Sequence, residues 1–119
     1  MTDWRAVGIG FLVSIIAGLL AFLLPVIGHI GAGLIGGFAA GYVAGGNVWN
    51  GLWHGLLAGA IGGVVVALLF GGLVTVVGGV GAGPIGGLAG LSVLVLGLLI
   101  AFVLALDSAI GGAVGSLLS

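Results

Sequence analysis

Charged positions sit only near the ends of this chain. Asp3 and Arg5 open it, Asp107 comes late, and no Asp, Glu, Lys or Arg lies between Ala6 and Leu106. Within that stretch, long apolar runs alternate with short breaks of Gly, Pro and Asn. A helix that crosses a hydrocarbon layer needs about 20 predominantly apolar residues. The pattern predicts such spans at residues 6–24, 29–44, 51–70 and 85–106. Pro25 closes the first, because proline drives the residue before it out of helical geometry. Gly45-Gly46-Asn47-Val48-Trp49-Asn50 separates the second from the third, and Gly78 to Gly83 with Pro84 separates the third from the fourth. The tail 108–119 either extends the last helix or lies along the interface. The predicted fold is all-α, an integral membrane four-helix bundle in one transmembrane domain, 1–119. Arg5 and the first apolar run also mimic a secretory leader, but that run exceeds the usual h-region of about 7–15 residues.

The chain repeats itself. Gly28, Gly31, Ala32, Gly33, Ile35, Gly36, Gly37 and Ala39 recur, at an offset of 50, as Gly78, Gly81, Ala82, Gly83, Ile85, Gly86, Gly87 and Ala89. The ungapped match predicts two tandem helical hairpins, 1–50 and 51–119, in the same orientation and related by an axis along the membrane normal.

Composition sharpens the reading. Hydrophobic residues make up 62% of the chain and 29 residues are Gly. Collagen would need Gly at every third position with abundant Pro, and only Pro25 and Pro84 are present. Here Gly recurs at i, i+4, which places it on one face of a helix. Gly33, Gly37, Gly41 and Gly45 form one such ladder on the second span. Gly51, Gly55, Gly59 and Gly63 form another on the third. A face of Gly lets another backbone approach closely, which is how helices associate where lipid offers no hydrophobic drive. A simple hairpin would set Gly37 beside Gly59 and Gly41 beside Gly55. The ladders either bury within one chain or face a second copy.

The few polar residues mark the ends of the spans. One cation near the first span favours a cytoplasmic N-terminus, and four spans return the C-terminus to that side. Arg5, His54 and Asp107 are then a candidate polar cluster at the cytoplasmic interface, with Arg5 and Asp107 able to pair. Trp4, Tyr42, Trp49 and Trp53 read as an aromatic belt at headgroup level. Asn47 or Asn50 is placed to cap the third helix, and His29 to sit in a loop or cap.

The chain has no Cys, Lys or Glu. Thiol chemistry is excluded, and there is no basic patch for nucleic acid or anionic lipid. No acid or base sits in mid-span to relay protons or carry gating charge. Ser14, Thr75 and Ser92 have no evident base beside them. No catalytic, cofactor or metal site is therefore expected, and no enzyme. The partners expected are the bilayer and either further copies or a larger membrane protein.

The segments Gly31-AGLIGGFAAGYVAG-Gly46 and Gly51-LWHGLLAGAIG-Gly63, with the four-span plan, resemble a family of small uncharacterised haloarchaeal membrane proteins of unknown function. That resemblance implies a four-helix integral membrane protein, assigns no specific activity and carries no catalytic residue over. The absence of Lys agrees with a halophile. The function expected is a non-enzymatic structural or accessory protein of the cell membrane. A small homo-oligomeric pore or transporter is the alternative, and an archaeal viral envelope protein a further one.

Overall fold

The computed structural model describes residues 1–119. Helix α1 covers Trp4–Leu20 and runs into a single 3-10 turn, Ala21–Leu23. Leu24 leaves helical geometry (φ −137°, ψ 84°), as proline favours for the residue before it, and Pro25 takes the first turn of α2, Pro25–Ala44. Proline is at home there because its missing N–H is one that no helix start can satisfy. Gly45 and Gly46, both at positive φ, turn the chain. Helix α3 then runs from Val48 to Leu117, 70 residues.

Helix α3 does not run straight. At 1.5 Å per residue it would be about 105 Å long, yet the longest dimension of the molecule is 51 Å. The reversal occurs at Gly83 alone (φ 66°, ψ −146°), with helical backbone on either side and Pro84 starting the return. The two arms, 48–82 and 84–117, lie antiparallel. Gly78 packs on Gly86, Gly90 on Thr75, Gly71 on Leu94 and Gly63 on Ala101.

The four-helix bundle expected from the hydropathy pattern is thus corrected to three helices, the third a folded-back element of 70 residues. No loop separates a third span from a fourth. The run Gly78–Gly83 stays helical up to its last residue. Pro84 needs no N–H donor bond at the start of the returning arm. The all-α character stands. The tail is helix to Leu117, so Asp107 lies about 15 Å along the axis from the end of the arm, by the rise of 1.5 Å per residue.

The interior inverts the usual distribution of side chains. The buried apolar residues are nine alanines and Val7, and the other buried groups are Gly, His54, Ser108 and Ser116. Large apolar side chains face outward: Leu19, Leu20, Ile27, Phe70, Leu99 and Phe102 are all more than half exposed. In water the large apolar groups would fill the core. With hydrocarbon as solvent they cost nothing outside, and small residues inside let the helix axes close up. All three helices are long and apolar enough to cross a membrane.

Candidate functional site

The Gly ladders meet at the second arm of α3. A methyl group at Gly37 would overlap the Ser108 carbonyl oxygen, and one at Gly41 that of Gly112. From the other side, Gly55 faces Ser108 and Gly112, and Gly59 approaches Ser108 Cβ to 2.6 Å and Ala105 Cα to 3.0 Å, as measured from the position a Cβ would take. Gly51 meets Gly112 and Ser116 in the same way. The stripe Ala101, Ala105, Ser108, Gly112, Ser116 therefore stands between the two ladders. Gly37 and Gly59 share Ser108, and Gly41 and Gly55 share Gly112. They do not pair directly as in a simple hairpin. Gly111 and Gly115 close against the Leu34 and Phe38 carbonyls of α2. Such backbone approach gains dispersion and weak Cα–H···O contacts. One strong bond stitches it: the fully buried Ser108 Oγ donates to the Gly55 carbonyl at 2.8 Å.

At the end where both termini lie, a polar network closes the fold. The Asp3 carboxylate caps α1, accepting from the backbone N–H groups of Arg5 (3.0 Å) and Ala6 (3.3 Å). The Asn47 side chain caps α3, accepting from Asn50 N–H at 2.9 Å. The Asn50 amide in turn donates to the Gly45 carbonyl at 2.8 Å. His54 is fully buried and both ring nitrogens are committed. Nδ1 faces the Asn50 carbonyl at 2.7 Å and Nε2 accepts from Asp3 N–H at 2.7 Å. A carbonyl can only accept, so Nδ1 carries the proton and Nε2 is bare. His54 thereby ties the start of α1 to α3, and Trp53 Nε1 adds a bond to Thr2 Oγ1 at 3.0 Å. Trp4, Trp49 and Trp53 stand exposed around this end.

The candidate cluster Arg5, His54, Asp107 does not assemble. His54 bonds to Asp3 and Asn50. Asp107 lies deeper, with Oδ2 2.7 Å from where a Cβ of Gly33 would be, buried and without a hydrogen-bond partner. The expected ion pair of Arg5 with Asp107 is not formed. Asp3 as the α1 cap was not among the expectations from sequence, although an Asp just before an apolar helical run is the usual signal. Nor did the pattern reveal the partner of His54, which comes from the N-terminal segment 51 residues away.

His54→Phe is expected to leave Asp3 N–H and the Asn50 carbonyl without their side-chain partner, at a cost of about 1–3 kcal/mol. Hydrogen exchange should show the first turn of α1 losing protection while the ladder region of α2 keeps its own. Unchanged exchange at residues 3–6 would show that His54 does not hold the N-terminus.

A partly enclosed cavity of about 320 Å³ opens where the arms of α3 rise past α1 and α2. Its walls include Ser14, Gly18, His29, Phe70, Val93 and Ile100. His29 lies within α2, not in a loop; its Nδ1 bonds to the Pro25 carbonyl, and Phe22 meets its ring edge-on at 5.8 Å. Ser14 Oγ is buried against Gly36 without a hydrogen-bond partner. No three His, Asp or Glu side chains converge anywhere to hold a metal ion.

Residues 4–118 match a family of unknown function, DUF5518, and the chain belongs to that family. No curated protein and no solved structure matches it.

Proposed function

We propose that this DUF5518 member is a multi-pass integral membrane protein of the cell membrane with a structural or accessory, non-enzymatic role. The observation that carries the reading is the inverted interior: Ala, Gly and Ser within, Leu, Ile, Val and Phe without. Such a surface requires an apolar surround. The ladders Gly33–Gly45 and Gly51–Gly63 are occupied by the chain's own second arm, so they are not free to receive another copy. Assembly would use the outer surface, where Gly8, Gly31, Gly72, Gly79 and Gly87 have nothing within 4 Å of a Cβ position. The resemblance to haloarchaeal proteins, the lack of Lys and the slightly acidic net charge support a halophilic source.

Native mass spectrometry of the protein released from nanodiscs tests the role. A discrete homo-oligomer, or a co-purifying membrane protein in fixed ratio, is the expected result. A monomer with no partner would remove the assembly role. Arg5 supports a cytoplasmic end for both termini. A Cys placed at Thr2 should react with an impermeant maleimide only after the cells are opened, and reaction in intact cells would reverse the orientation.

A further inference from the structure

The cavity between the α1–α2 pair and the arms of α3 has a polar feature at one place only. Its volume, about 320 Å³, lies at the lower end of the range of small-molecule sites, about 300–1,000 Å³. It is about twice the 150 Å³ of an apolar cavity that holds benzene. Gly, Ala, Val, Ile, Leu and Phe make most of the wall, and no charged side chain enters it. The Ser14 hydroxyl is turned against Gly36 and buried, so it does not offer itself to an occupant. His29 differs. Its Nδ1–H is spent on the Pro25 carbonyl and Phe22 fixes the ring edge-on. In the neutral ring this leaves Nε2 as a bare acceptor on an exposed side chain at the cavity wall.

We propose that this cavity binds a free long-chain alcohol, the apolar chain inside and the hydroxyl donating to His29 Nε2. An acceptor beside an otherwise apolar hollow selects a neutral molecule with one donor at its end. A carboxylate or phosphate would set its oxygens against the Nε2 lone pair. An ammonium would bring a charge to apolar walls that cannot solvate it.

The test uses the full chain in nanodiscs with radiolabelled 1-dodecanol, competed by dodecyl methyl ether, which has the same chain and no donor. Saturable binding of one molecule per chain is expected, with the ether about tenfold weaker, the worth of one hydrogen bond. Gly18 lines the cavity and has nothing within 4 Å of its Cβ position. Gly18→Leu should therefore fill the cavity, keep the thermal midpoint and abolish saturable binding. His29→Phe should bind alcohol and ether alike. Equal affinity of the wild type for both probes would overturn the proposal, as would undiminished binding in a folded Gly18→Leu. Native mass spectrometry showing a bilayer phospholipid that dodecanol cannot displace would make the occupant an ordinary lipid and also overturn it.

Discussion

Gly37→Ala is expected to destabilise the protein more than any single substitution on its outer surface. The added methyl group would occupy the space of the Ser108 carbonyl oxygen, which is backbone and cannot rotate away. Relief requires α2 to move off the second arm of α3, and with it the neighbouring contacts of Gly33 and Gly41 on that arm. Overpacking of a tight interior costs about 1–3 kcal/mol when neighbours can shift. Here the neighbour is a helix backbone on the far side, so the upper end or beyond is expected, and Gly37→Leu should not fold. Gly31→Ala is the control. It lies on the same helix with nothing within 4 Å of the new Cβ. There the gain in helix propensity, up to about 1 kcal/mol, should raise stability slightly. Thermal midpoints in one mild detergent decide the matter. If both variants melt with the wild type, the close approach of α2 to the second arm is not what holds the fold.

Gly83→Ala is expected to strain the reversal of α3. At φ 66° and ψ −146° the backbone lies close to a region that in practice only glycine occupies. A side chain there costs about 1–3 kcal/mol. Space is not the issue, since nothing lies within 4 Å of the Cβ position. The arms can escape only by opening, which separates Gly78 from Gly86. The chain has no Cys, so spin labels can be set at Val76 and Leu88, both about two-thirds exposed. The distance distribution between them should broaden and lengthen in Gly83→Ala but not in Gly81→Ala, two residues earlier in regular helix. D-Alanine at position 83 should restore the narrow distribution. Its mirrored dihedrals fall in the extended polyproline region, which is comfortable for that hand. An unchanged distribution in Gly83→Ala would mean that the reversal does not depend on glycine.

Much of this architecture could be read from the residues, and the remainder had identifiable physical causes. All-helical structure and an apolar exterior followed from uninterrupted apolar runs without charge. The number of helices did not follow. A cluster of six residues with four glycines, Gly78 to Gly83, reads as a loop because glycine is a poor helix former. That preference was overridden where Gly78 and Gly86 pack backbone to backbone, a contact open only to helices without side chains there. The repeat shows the same limit. Gly33 and Gly83 are equivalent in sequence, yet one is regular helix against Asp107 and the other is the bend itself. The difference is the next residue, Leu34 in one copy and Pro84 in the other. The ladders were visible as spacing, but spacing says which residues share a face and not what faces them. That the second arm would lie between the ladders depended on Ser108 and Gly112, which sit in a tail whose structure the hydropathy pattern left open. His54 and Asp107 were visible only as polar residues near supposed helix ends. Their separation came from the extra ten residues of helix after Asp107.

In the membrane setting proposed above, the unequal lengths of the helices bear on the lipid beside them. Each arm of α3 is about 51 Å long and α1 and α2 are only about 26–30 Å, from 1.5 Å per residue. A hydrocarbon layer is about 30 Å thick, and membrane helices rarely tilt beyond about 40°. At that tilt an arm still rises about 39 Å, carrying the Gly83 bend in among the far headgroups, where its open backbone can meet water. The α1–α2 pair, tilted alike, would rise only about 20–23 Å and end short of that surface. Lipids beside the arms would have to stretch while those over the Leu24–Pro25 turn would have to thin. The protein would thus act as a step in the membrane, drawn to places where two thicknesses meet.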